Sequence, residues 1–180
     1  MGKGRVAIFA IMAVGTLGLS GAVGAPLAAQ QRERINPFAI SLLEEHNRAR
    51  AEVGVPRLEW SNRLAREAHE WAQHLAQQGQ MLHANREQRN GAGENLWMGH
   101  AGYYGPDVMV GGFVNERQHF RNGTFPQVSK TGNWRDVGHY TQVIWRGTQE
   151  VGCAVARGQT NDFLVCRYFP AGNVYNQTVF

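Results

Sequence analysis

HYTQVIWRGTQEVGCAVARGQTNDFLVCRYF, residues 139–169, is the stretch on which the fold turns. It holds three runs rich in β-branched and aromatic residues: His139–Trp145, Glu150–Ala156 and Asp162–Phe169. Arg146-Gly147 and Arg157-Gly158 mark the breaks between them, so the pattern predicts three strands joined by turns. Upstream the periodicity is helical. Leu64, Ala68, Trp71, Ala72 and Leu75 form one apolar stripe between a capping residue, Ser61, and a stop, Gly79. Asn36-Pro37 opens an earlier helix, with Phe38, Leu42, Leu43, Ala49 and Val53 recurring up to Gly54. Pro106 opens a third, which turns Val110, Phe113, Val114 and Phe120 inward. Gly111-Gly112 inside it costs about 1 kcal/mol per glycine relative to alanine, or else marks a close packing contact. Asn95–Met98 reads as a short strand and residues 121–137 as a long surface loop. Helices first and strands last indicate an α+β fold, with helices packed on an antiparallel sheet.

The 180-residue chain is expected to divide into a leader at 1–29, a polar lead-in at 30–36 and one domain at 37–180. Lys3 and Arg5 precede an uncharged apolar run, Val6–Leu19, and small residues follow to Ala29, the layout of a secretory signal peptide. An uncleaved N-terminal anchor is the alternative. The whole chain carries 18 basic and 14 acidic residues, a net of +4. Two of the basic residues lie in the leader, which leaves 16 against 14, a net of +2. That is too mild a charge to indicate a nucleic-acid or anionic-membrane partner. The only cysteines are Cys153 and Cys166. An oxidising compartment and adjacent strands favour a disulfide between them, with two buried thiols as the alternative. The expected location is extracellular or periplasmic, with no stable membrane insertion after leader cleavage and a monomeric state. Asn122-Gly-Thr124 and Asn176-Gln-Thr178 would be glycosylation sites in a eukaryote.

Several chemistries are absent. His69 and His74 are five apart, about 140° around a helix, and cannot share a zinc ion as a pair at i and i+4 would. No nucleophile elbow, P-loop or dinucleotide fingerprint occurs. Glu116 draws notice because helical spacing sets it on one face with Phe113 and Phe120. A carboxylate on an inward face needs a partner or a metal. His139, at the start of the first predicted strand, Glu94, in Gly93-Glu94-Asn95, and His83, just past the second helix, are unremarkable taken singly.

Longer motifs connect them. The relevant segments are His46-Asn47-x-x-Arg50, Leu58-x-Trp60, Leu64-Ala65-x-x-Ala68-x-x-Trp71-Ala72, and His83 ahead of Gly93-Glu94-Asn95-Leu96. Gly138–Trp145, continuing through Thr148 to Val151-Gly152-Cys153-Ala154, and Val165–Asn173 follow. From about Phe38 to Phe180 the chain resembles a CAP-superfamily domain, the family of cysteine-rich secretory proteins, antigen five and group-one plant pathogenesis-related proteins. The resemblance implies a three-layer α-β-α sandwich with a central antiparallel sheet. It also implies that His83, Glu94, Glu116 and His139 line a cleft in which the histidines hold a divalent ion, zinc or another, with water completing the site. Neutral imidazole is a good zinc ligand, and carboxylates can orient it. Two ligands bind weakly, so occupancy is expected to be partial and pH-dependent. Phe113 and Phe120 stand where the family usually has Trp and Tyr.

The preferred reading is a secreted binding module for a metal or small ligand, with sterol or fatty acid among the ligands the resemblance suggests and a defence or signalling role. Loops 99–109 (Tyr103, Tyr104, Met109) and 121–137 (Phe125, Val128, Trp134) are candidates for lining a lipid groove. The alternative is a metal-dependent, peptidase-like hydrolase in which Glu94 or Glu116 serves as base.

Overall fold

Tyr140, Thr141, Gln142, Val143, Ile144 and Trp145 are all buried, and a segment covered on every side shows neither a helical nor a strand period. In the computed structural model, which describes Met1 and residues 36–180, this segment is a short helix, α4 (Gly138–Val143), in place of the expected strand. The leader expected over 1–29 and the lead-in to 35 otherwise lie outside the described residues.

The other elements follow the pattern more closely. Helix α1 (Pro37–Glu52) starts where Asn36 Oδ1 accepts from the Ala39 N–H. A two-residue strand, β1 (Glu59–Trp60), leads into α2 (Asn62–Gln78). Gly79 ends α2 in the left-handed region (φ 67°), where a side chain would be strained. Strand β2 (Gly93–His100) is longer than the Asn95–Met98 expected. Helix α3 (Pro106–Val114) tightens into a 3₁₀ turn over Asn115–His119, so Phe120 is already extended and the helix is shorter than its apolar spacing suggests. A second 3₁₀ turn, Trp134–Asp136, precedes α4. Strands β3 (Glu150–Arg157) and β4 (Asn161–Phe169) form the predicted hairpin.

The sheet has the order β1-β3-β4-β2. The β3–β4 and β2–β4 pairs are antiparallel, and the short β1 joins the β3 edge in parallel. Strand alternation sorts the core into two layers. Leu164, Cys166 and Tyr168 face α1, α3 and α4, packing with Leu42, Ala49, Val110, Phe113 and Val143. Phe163 and Val165 face the other way, onto Ala68, Ala72 and Leu75 of α2. The result is helix on sheet on helix. Gly152 lets α2 lie directly on β3, because a Cβ there would collide with the Ala65 backbone nitrogen. Gly112 lies against Trp97, which makes one of the paired glycines in α3 a packing contact. Cys153 and Cys166, directly opposite in register, form the disulfide. The 121–137 segment is only partly a surface loop. Phe125, Val128 and Val137 are buried, and Phe125 packs edge-on against Trp134 and Tyr175. No helix among the described residues is long and apolar enough to cross a membrane.

Two buried basic side chains hold the α1 side together. Arg50 is fully buried and pairs with no carboxylate among the described residues; it donates instead to four carbonyls. Nε reaches Pro56 O (2.6 Å), Nη1 reaches Val143 O and Trp145 O (2.9 Å each), and Nη2 reaches Thr148 O (3.1 Å). Burial pushes its pKa down to about 10, which leaves it charged at neutral pH. His46 gives its Nδ1 proton to Leu42 O (2.7 Å), so Nε2 accepts from the Tyr168 hydroxyl (2.8 Å). Tyr168 in turn accepts from Asn95 Nδ2, which also donates to His139 O. Burial pushes the Tyr168 pKa up, which keeps this hydroxyl a donor.

Burial is also the main cause that lowers the His46 pKa from 6.5 to about 4. The unfolded chain therefore takes up this proton before the folded one does as pH falls. The stabilisation is fully present above pH 6.5 and is lost as pH drops toward 4. Urea denaturation across that window is expected to show a loss of about 3 kcal/mol that is absent in His46→Gln. Arg50→Met leaves four buried carbonyls without their donor, and the same measurement is expected to register a loss of at least about 3 kcal/mol.

Candidate functional site

Helix α4 carries His139, and its position is set by side chains far away in sequence. One Glu116 oxygen accepts from the backbone N–H groups of His139 (2.9 Å) and Tyr140 (3.1 Å) in the first turn of α4. A carboxylate there satisfies two otherwise orphaned donors and complements the positive end of the helix. The other oxygen accepts from His139 Nδ1 at 2.6 Å. Phe113 stacks on the same imidazole, with centroids 5.3 Å apart and planes 17° apart. The i, i+3 spacing of Phe113 and Glu116 thus does aim both at one point: they fix the tilt and the tautomer of His139. Phe120 takes no part in holding His139; it packs on Tyr140 and Phe180.

His83 is held in the corresponding way from the other side of the sheet. Glu94 on β2 accepts from His83 Nδ1 (2.6 Å) and from the Ala84 N–H (3.1 Å). Its second oxygen lies 3.1 Å from Nη2 of Arg167, an ion pair with both side chains buried. Burial lowers the Arg167 pKa, and the Glu94 carboxylate beside it opposes that shift. The segment that carries His83 is tied to α2 by Trp71, whose Nε1 donates to Leu82 O (2.9 Å).

The two pairs meet across the outer end of β2. His83, Glu94 and His139 line one cavity of about 540 Å³, together with Gly93, Gln142 and Asn173. Glu116 stands behind His139 and is not on the wall. A Cβ at Gly93 would collide with Gln142 Oε1 where α4 approaches, so that side chain would have to shift. Gly172, on the other side of Gln142, would place a Cβ 2.8 Å from Nε2. Gln142 is fixed between them, donating to Thr148 Oγ1 and accepting from the Gly172 N–H. All four residues singled out from sequence therefore belong to one constellation, as two carboxylate-bound histidines.

Other expectations fare differently. Among the described residues, three ligand atoms of His, Cys, Asp or Glu approach one another within 4.8 Å only at His46, Cys153 and Cys166. There both sulfurs are spent in the disulfide and both imidazole nitrogens in hydrogen bonds. Phe125, Val128 and Met109, candidates for a lipid groove, are buried in the core, and Trp134 lines the His83/His139 cavity. Arg89, Arg135, Gln142 and Asn173 also line that cavity, and no spacing rule singles them out. Arg50 and Arg167 lie within quoted motifs, but their structural roles have no local signature. Glu116→Ala is expected to lower stability by about 2–3 kcal/mol and to speed amide exchange at His139 and Tyr140. Exchange rates unchanged at those two amides would remove Glu116 from the capping role.

The chain and its fold have counterparts among known proteins. The profile of the CAP, or cysteine-rich secretory protein, family matches residues 43–168. The chain is 33% identical over 139 residues to pathogenesis-related protein 1C of Nicotiana tabacum, covering 77% of this chain and 78% of that one. It is 32% identical over 144 residues to the human Golgi-associated plant pathogenesis-related protein 1, covering 79% and 89%. The structure of NaASP2 with Zn2+ superposes with a TM-score of 0.69 at 22% identity, covering 83% of this chain and 88% of that one. BmVAL-1 superposes at 0.66 with 23% identity, covering 82% and 84%. A family profile spanning most of the domain, relatives above 30% identity and the same fold make this chain a member of the CAP, or cysteine-rich secretory protein, family.

Proposed function

We propose that this protein is an exported binding protein whose cleft holds a divalent metal ion, zinc foremost, through His83 and His139. One observation carries the reading: each histidine gives its Nδ1 proton to a buried or half-buried carboxylate, which leaves Nε2 as the nitrogen with a free lone pair, and both rings line one cavity. A carboxylate–histidine pair of this kind fixes the tautomer that a metal needs and makes the imidazole more basic. The residues present therefore fit such an ion. When bound, the ion would supply a Lewis-acid centre with coordination positions left for a ligand. What the chain's own groups do is orient two imidazoles and hold the Nδ1–H of each on a carboxylate. One solved structure of the same fold is that of NaASP2 with Zn2+. Export accords with the family's name and with a disulfide as the state of both cysteines.

The hydrolase reading finds no support in the chemistry of the cleft. Glu94 is committed to His83, the Ala84 amide and Arg167, and Glu116 to His139 and the start of α4. Each carboxylate already holds the histidine beside it, so the arrangement favours binding over a base acting on a water or substrate.

Zinc titration of the purified protein by calorimetry tests the reading. One ion per chain is expected, with binding lost in His83→Ala and in His139→Ala. Glu116→Gln, which keeps both histidines, is expected to weaken binding by about tenfold to a hundredfold. Equal affinity in the wild type and both alanine variants would sink the metal site.

A further inference from the structure

The cleft carries more positive charge than its histidines and glutamates account for. Arg89, from the segment between α2 and β2, and Arg135, from the 3₁₀ turn before α4, line the same cavity as His83 and His139. Neither guanidinium has a carboxylate within ion-pairing distance among the described residues. The Arg89 Nε is shielded from solvent and has no hydrogen-bond partner. Arg135 is exposed, and its guanidinium carbon lies over the Trp134 ring, 5.1 Å from the centroid. A cation on an aromatic face keeps its N–H edge free for another partner.

The nearby acids do not cancel this charge. Glu94 is matched by Arg167, buried beside it. Glu116 is turned away into the first turn of α4. Among the residues that line the cavity, Arg89 and Arg135 stand against Glu94 alone, which leaves one net positive charge with both imidazoles neutral. A divalent ion raises it further. The amides on the wall do not help: Gln142 is bonded to Thr148 and Gly172, and Asn173 Nδ2 to Gly138 O.

We infer that the cleft takes an oxyanion-bearing ligand, a carboxylate or phosphate group bound by the guanidiniums of Arg89 and Arg135. This deepens the reading of the cleft as the binding site and rests on it, but the two arginines act with or without a metal. The planar fork of N–H donors matches an oxyanion in shape and charge. A wholly neutral, apolar ligand filling the same space would strip water from two guanidiniums and return no partner.

Calorimetry on the metal-free full-length protein tests this, with inorganic phosphate and succinate as separate probes. The wild type is expected to bind at least one of them at millimolar concentration. Arg89→Ala and Arg135→Ala are each expected to weaken it about tenfold, and the double variant to abolish it. Melting curves of the variants confirm that they are folded. Whichever probe is bound tells a phosphate ligand from a carboxylate one. Failure of the wild type to bind either probe, or undiminished binding by a folded double variant, overturns the proposal. Zinc titration is read separately. A protein that binds no zinc but binds the anion through its arginines loses the metal reading and keeps this one.

Discussion

Helix α4 exists because two charged side chains from distant parts of the chain close its ends. Glu116 takes the N–H groups of its first turn, and Arg50 takes the carbonyls at and beyond its last. Six helical residues cannot stand alone in water, where helices much longer than this are marginal. Each clamp matches the sign of the helix end it meets, anion at the N-terminus and cation at the C-terminus. Remove either and the segment has no reason to prefer a helix, since its residues are as well suited to a strand. His139 rides on this element, so the cleft inherits its geometry from the same two contacts. The buried chain from His46 through Tyr168 and Asn95 to the His139 carbonyl adds a third hold, running from α1 through the sheet.

The clamps also explain which residues of the site can be exchanged and which cannot. His83 and His139 face an open cavity, while the groups that aim them are packed between layers. Glu94 is held by a buried arginine, Phe113 by the core beneath α3, and Gln142 between two glycines that leave no room for a methyl group. The architecture is rigid behind the histidines and permissive in front of them. A family sharing such a frame can change its ligand by changing the wall, for example the loop residues Arg89, Trp134 and Arg135, without disturbing the frame.

How much of this was legible in the sequence follows from where the determining contacts lie. Helix α2 shows clearly because one face packs on the sheet and the other meets solvent, so its stripe is local information. The β3–β4 hairpin shows for the same reason, with turn residues at both breaks and Cys153 opposite Cys166. Helix α4 does not, because a fully buried segment has no amphipathic period and its caps lie 23 or more residues away. Glu116 could be picked out by its i, i+3 relation to Phe113, whereas His83 and Glu94 sit at the end of an irregular polar segment and emerge only through family resemblance. Arg89 and Arg135 give no signal at all: an arginine in a polar loop looks the same whether it faces solvent or a cavity.

Strand β2 is the last strand of the sheet on its side, so one row of its backbone groups has no neighbouring strand. A bare edge of that kind is a template on which another chain can pair. Gln142 lies against Gly93 and the Asn95 side chain ties the strand to α4, so the cleft is built on the face of this last strand. A variant that opens the cleft therefore also loosens α4 from the face of the sheet's last strand.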